Sequence, residues 1–113
     1  MAVNPQLFKG SLNTIILNLL HEKGKMYGYE ITKKVLEISN SQFQLTEGAL
    51  YPALHKMETD GLLEVSVKLV DNRPRKYYSI TKKGKKESVL KLKELLQFIS
   101  QMQSFLQLKQ AGL

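Results

Sequence analysis

Residues 63–86 read LEVSVKLVDNRPRKYYSITKKGKK, and this stretch decides the fold. Leu63, Val65, Val67 and Leu69 alternate with Glu64, Ser66, Lys68 and Val70, the period of a strand with one face on a core. Asp71-Asn72-Arg73-Pro74 supplies turn residues. Residues 75–80 form a second run rich in aromatic and β-branched side chains, so the two runs are expected to close as an antiparallel hairpin. Tyr77 and Tyr78 then point to opposite faces, which puts at least one of them in the core. The same stretch carries the charge. The chain has 113 residues, 17 Lys+Arg and 10 Asp+Glu, for a net charge of +7. From Lys68 to Lys86 lie Lys68, Arg73, Arg75, Lys76, Lys82, Lys83, Lys85 and Lys86 against Asp71 alone, and the rest of the chain is balanced. A dispersed excess serves solubility, whereas a concentrated one creates a field that attracts a polyanion.

Upstream of the hairpin the period changes to that of helices. Residues 47–59 place Leu50, Ala53, Leu54 and Met57 on one stripe and Gly48, Tyr51, Pro52, His55 and Lys56 on the opposite face. Thr46 caps this helix and Asp60-Gly61 stops it. Pro52 removes an internal hydrogen bond, at a cost of up to ~3 kcal/mol, which its position near the helix start softens. A second helix is expected over residues 28–39, with Ile31, Val35 or Leu36, and Ile38 turned inward, followed by a Ser39-Asn40-Ser41-Gln42 loop. A first helix starts at Asn4-Pro5, carries Phe8, Leu12, Ile15, Ile16, Leu19 and Leu20 on one face, and ends at Lys23-Gly24. Downstream, Thr81 caps a helix over residues 82–108, about 40 Å long at ~1.5 Å per residue, whose first turn Gly84 weakens. Along it Leu92, Leu95, Ile99, Met102 and Leu106 step by three and four, and Leu96, Phe98 and Phe105 widen the stripe.

Three helices, a hairpin and a long helix make a mainly α (α+β) fold, a winged helix-turn-helix with a two-stranded wing and a long C-terminal dimerisation helix. Residues 1–81 form the DNA-binding domain and residues 82–113 the dimerisation helix, the two making one compact unit. The chain has no cysteine and two histidines, which excludes a disulfide framework, a thiolate metal site and a multi-histidine cage. No Asp/Glu/His constellation and no Gly-rich phosphate loop points to an enzyme, and no metal or cofactor is implied. The start, MAVNPQLFKG, lacks the apolar core of a secretory signal, no apolar run approaches membrane-helix length, and a cytoplasmic location is expected.

Four motifs resemble those of one family. Gly28-Tyr29-Glu30-Ile31 resembles its GYEI motif, and residues 47–54, EGALYPAL, its EGTLYPxL recognition-helix signature. Met57-Glu58-Thr59-Asp60-Gly61-Leu62 is similar to its LExxGLI ending, and residues 75–84, RKYYSITKKG, to its RKYYxITxxG hairpin closure. This is the pattern of PadR-like transcriptional regulators, over about residues 10–90, and the short C-terminal part is similar to the small subgroup with one dimerising helix. Ala49 stands where that family commonly has Thr, and His55-Lys56 where two arginines are frequent, so a base-recognition code does not carry over. The resemblance implies a homodimeric, sequence-specific DNA-binding regulator, a repressor on an inverted-repeat operator, in some members relieved by a planar aromatic or drug-like effector. The alternative from the fold alone is a protein–protein adaptor, against which the localised basicity argues.

The candidate DNA-binding residues are Thr46, Gly48, Tyr51, His55 and Lys56 on the third helix and Lys68, Arg73, Arg75 and Lys76 on the hairpin. Arginine in a turn enters a minor groove or clamps a phosphate, which makes Arg73, Arg75 and Lys76 the strongest of them. His55 is a phosphate or base contact or a plain surface histidine, and Tyr29 belongs to the core or reaches a phosphate. Glu47 opposes a phosphate at the helix start and is read as a capping or orienting residue. Lys82, Lys83, Lys85 and Lys86 sit where the helix dipole disfavours cations, which suggests another purpose, with a solvated face as the default reading. Leu92, Leu95, Leu96, Ile99, Met102 and Leu106 are the dimerisation residues, since a helix this long outruns a three-helix core. Phe98, Met102 and Phe105 line an effector cavity at the dimer centre or simply fill the seam.

Overall fold

A computed structural model describes residues 10–106. Seven elements follow in order: α1 (Leu12–Lys23), β1 (Met26–Tyr27), α2 (Gly28–Ile38), α3 (Glu47–Thr59), β2 (Leu63–Val70), β3 (Arg73–Ile80) and α4 (Lys82–Phe105). The strands form one antiparallel sheet in the order β1-β3-β2, with Met26 opposite Tyr78 and Leu63 opposite Ile80. The expected helix start at Asn4-Pro5, and Leu108 at the far end of the last helix, lie outside the described residues.

The core gathers the apolar stripe of each helix on the inner sheet face. Ile16, Leu17, Leu20, Ile31, Leu50, Leu54 and Met57 are buried with Leu63 and Tyr78. Thr46 caps α3 by accepting a hydrogen bond from the Ala49 N–H (3.3 Å), and the helix runs through Pro52 unbroken. Proline there deprives only the carbonyl of the exposed Gly48 of its intrahelical donor. Ile38, expected inside, is 67% exposed because α2 ends at that residue, beyond the reach of the core.

The hairpin departs from expectation in three ways. Its turn is two residues, Asp71 and Asn72, both at positive φ (53° and 62°), so Arg73 and Pro74 belong to β3. Two left-handed residues give the connection whose twist matches the strands, and Asp and Asn tolerate it best after glycine. The alternating apolar residues meet the core only as far as Val65; Val67 and Leu69 are 59% and 74% exposed because the hairpin projects past the helices that would cover them. β1, whose two residues are too few to show a period, joins the free edge of β3.

One junction ties the helices to the sheet. The Thr81 N–H donates to the Leu62 carbonyl (3.0 Å), and the Thr81 hydroxyl shares its one proton between the carbonyls of Gly61 (2.7 Å) and Leu62 (3.1 Å) while accepting from the Gly84 N–H (2.9 Å). The Lys83 Nζ donates to the Asp60 carbonyl at 2.8 Å. The start of α4 is thus bound to the end of α3 through the residues that enter β2. Beyond it α4 packs along α1 and then runs on.

Tyr78 settles which of the two tyrosines is core: it is 1% exposed, while Tyr77 is half-buried on the outer face. The Tyr78 hydroxyl has no hydrogen-bond partner among the described residues. Burial, then the nearby Glu58 and Tyr51, push its pKa above the usual tyrosine value of 10.0. Raising the pH through that value removes the proton from the unfolded chain first, so stability falls as the solution becomes alkaline. Tyr78→Phe is therefore expected to stabilise the fold by about 1 kcal/mol at neutral pH, since it deletes an unsatisfied buried hydroxyl. It is also expected to move alkaline unfolding to higher pH; chemical denaturation at neutral and alkaline pH measures both.

Candidate nucleic-acid interface

The exposed face of α3 is built by its first two turns. Gly48, Pro52, His55 and Lys56 are exposed beside the half-buried Tyr51, whose ring centroid is 6.4 Å from that of His55. Tyr51 leans across the first residue of α2. A Cβ at Gly28 would run into the Tyr51 hydroxyl and lie 2.8 Å from its Cζ, so only glycine lets the ring rest there. Lys56 faces Asp60 one turn on, with Nζ 3.5 Å from Oδ2, an exposed pair of little energetic weight.

The wing stands beside this face. Arg73 opens β3 immediately after the turn and is exposed, as are Lys68 and Lys76. Arg75 is half-buried, its guanidinium carbon 4.2 Å from the ring centroid of Tyr27. Lys68 lies directly opposite Arg75 in the ladder, with Nζ 5.3 Å from the Tyr77 ring centroid. A groove of about 320 Å³ runs between the wing and the helices, lined by Tyr27, Gly28, Tyr29, Tyr51, Pro74, Arg75 and Lys76. The structure therefore brings Tyr51, Arg75 and Lys76 onto one groove. It leaves Arg73 at the wing tip, Lys68 on the outer strand, and Thr46 and Gly48 at the helix start. Tyr29 is exposed on the groove's rim, which removes it from the core.

The cations of the wing stand outside any ion pair among the described residues. Ion pairs among the described residues are Lys34–Glu37 and Lys56–Asp60, and neither involves the basic stretch from Lys68 to Lys86. Lys82, Lys83, Lys85 and Lys86 are all exposed around the first turn of α4. No group of three or more His, Cys, Asp or Glu among the described residues is placed to hold a metal, and no described helix is long and apolar enough to cross a membrane.

The residue that sequence reasoning missed is Tyr27. Its side chain carries Arg75, but it sits in a strand too short for periodicity to reveal. The only signal was the spacing of Tyr27 and Tyr29 around Gly28 in the stretch MYGYE.

On α4, Leu92 and Leu95 are half-buried in the segment that packs on α1, whereas Leu96, Ile99, Met102 and Leu106 are exposed. Phe98 and Phe105 are, like Met102, exposed. Phe98 and Leu95 border a shallow depression shared with Ser11 and Thr14 of the α1 end.

Comparisons with known proteins agree with this architecture. The model of the transcriptional regulator PadR-like family matches residues 16–89. An uncharacterized protein of Lysinibacillus sphaericus is 38% identical over 84 residues, which is 74% of this chain and 76% of that protein. The solved structure of a transcriptional regulator from Clostridium thermocellum superposes with a TM-score of 0.82 at 31% identity, covering 88% of this chain and 97% of that one. A PadR family transcription regulator from Clostridium difficile does so with a TM-score of 0.72 at 35% identity, over 85% of this chain and 98% of that one. With four motifs in order, a winged helix and the family match over most of its length, the chain belongs to the PadR-like family of transcriptional regulators, a family of regulators and not of enzymes.

Proposed function

We propose that this regulator is a cytoplasmic homodimer that binds an inverted-repeat DNA operator and represses by occupying it. The observation that carries the reading is the positive charge of residues 68–86, none of it in an ion pair among the described residues, with Arg75 and Lys76 on the groove that Tyr51 of α3 lines. An α-helix fits the major groove, where base edges present a readable pattern, and a basic wing reaches the adjacent backbone or minor groove. Residues 1–81 would supply these contacts through Thr46, Gly48, Tyr51, His55, Lys56, Lys68, Arg73, Arg75 and Lys76. Residues 82–113 would pair two copies through the apolar stripe of α4, setting two recognition helices about 34 Å apart on successive major grooves. Where two stripes meet, Phe98, Met102 and Phe105 would be the place for an aromatic or drug-like effector, whose entry would change the helix spacing and relieve repression.

Titration of labelled duplex at several salt concentrations tests the interface. Arg73→Ala and Arg75→Ala are each expected to weaken binding to every sequence and to lower the salt slope by about 1 for every phosphate the arginine neutralises. Tyr51→Ala is expected to change which duplexes a random pool yields. Unchanged affinity and slope in both arginine variants would rule the wing out as the phosphate-binding element.

A further inference from the structure

Lys68 and Arg75 face each other directly across β2 and β3. Like charges at directly opposite positions repel and destabilise a ladder. No carboxylate among the described residues forms an ion pair with either of them. Each has a ring instead. The Arg75 guanidinium lies 4.2 Å from the centre of the Tyr27 ring, and the Lys68 ammonium 5.3 Å from the centre of the Tyr77 ring. The two rings are themselves a pair: Tyr27 is opposite Tyr77 across β1 and β3, and they meet edge to face with centroids 5.4 Å apart and planes at 72°. Strand alternation puts Arg75 and Tyr77 on the same face of β3, and the register brings Lys68 and Tyr27 to that face as well. Tyr27 is held at its backbone, whose N–H donates to the Glu30 Oε1 at 3.1 Å, so the start of α2 fixes the main chain that bears the ring.

We propose that Tyr27 and Tyr77 are positioning residues, a two-ring platform that holds Arg75 and Lys68 in one orientation on one face of the wing, so that the two cations meet a DNA phosphate as a preformed pair. This rests on the DNA-binding reading above. Long cationic side chains lose rotamer freedom when they bind, and cations already resting on rings lose less. The arriving phosphate also relieves the repulsion between them. Tyr27 needs no contact with DNA to act, which separates it from every candidate DNA-binding residue of α3 and the wing. The two-residue strand at the sheet edge delivers one ring to this face, as its other residue, Met26, enters the core.

The test has two arms, both on the full-length protein. Without DNA, NMR is expected to show the Arg75 side-chain protons, and more weakly the Lys68 methylene protons, shifted upfield by ring currents. Tyr27→Phe is expected to keep the Arg75 shift and Tyr27→Leu to abolish it. With a duplex operator recovered by selection, Tyr27→Leu is expected to weaken binding about five-fold with the protein's charge unchanged. In an Arg75→Ala background the same substitution is expected to change nothing, and Tyr27→Phe is expected to bind like the parent. Arg75 signals at ordinary solvent positions in the parent protein overturn the proposal, and that measurement stands even if the leucine variant fails to fold. So does an equal loss from Tyr27→Leu with and without Arg75, which would mark Tyr27 as a structural residue only. A parent protein that shows the ring-current shifts and binds no duplex overturns the DNA-binding reading and leaves the platform in place.

Discussion

Gly84→Ala is expected to lower the melting temperature by roughly 10 °C, on a destabilisation of about 2 kcal/mol at ~4–8 °C per kcal/mol for a domain of this size. Helix propensity points the other way. Gly84 is the third residue of α4, and alanine in a helix is favoured over glycine by about 1 kcal/mol. Space decides the sign. A Cβ on Gly84 would collide with the Leu62 carbonyl oxygen, lie 2.7 Å from the Ile80 Cγ1 and 3.1 Å from the Leu62 carbonyl carbon. The Leu62 carbonyl cannot yield, because it accepts hydrogen bonds from both the N–H and the hydroxyl of Thr81. Moving it would undo the junction that ties α3, β2 and α4 together. Overpacking of this kind costs about 1–3 kcal/mol or more, which exceeds the propensity gain. Gly48 provides the contrast. It sits in the matching first turn of α3, where a Cβ would find only the Thr46 Oγ1 at 4.0 Å. Gly48→Ala is expected to leave stability unchanged or to raise it by up to about 1 kcal/mol. Calorimetry on the two variants compares them directly, and a Gly84→Ala protein as stable as the Gly48→Ala protein would show that the junction is softer than its hydrogen bonds imply.

The same glycine shows what could be read from the chain and what could not. Its cost to the first turn of α4 was legible, because propensity is local. Its reason was not, because Leu62 and Ile80 reach it only after the hairpin has closed. The caps Thr46 and Thr81, the stop at Asp60-Gly61 and the stripes of α1 and α3 were legible for the same local reason. Where β2 ceases to be half-buried was not, since Val67 continues the alternation of Val65 without a break and only the finite length of the helices beneath ends its burial. In the interface, the cations were visible as charge. Their support was hidden, because Tyr27 comes to Arg75 through a two-residue strand that pairs across some fifty positions of sequence. Local chemistry thus named the cations, and tertiary structure supplied the ring on which Arg75 rests.

Ile99→Glu is expected to make the protein monomeric and to weaken binding to an inverted-repeat duplex by ~100-fold or more. Within one chain the substitution is mild. Ile99 is 45% exposed, on the part of α4 that has run past the α1 packing, so a carboxylate there keeps water and the winged helix keeps its core. In a paired stripe the same carboxylate would be driven against its counterpart and against Leu96 and Met102, losing hydration with no cation to offset it. Two linked half-site contacts gain ~10²–10⁴ in apparent affinity over one because the second binding step is intramolecular, and a monomer forfeits that gain. The salt slope should fall by about half at the same time, since half the phosphate contacts remain. Gln97→Glu changes the charge equally on the opposite side of the helix and is expected to remain dimeric with parental affinity. Sedimentation of the two variants, followed by titration with full and half operator duplexes, separates the pairing from the reading of DNA. A dimeric Ile99→Glu protein that holds the inverted repeat within about three-fold of the parent, against the ~100-fold that avidity demands, would move the dimer contact off the distal stripe of α4, and with it the geometry that requires a symmetric operator.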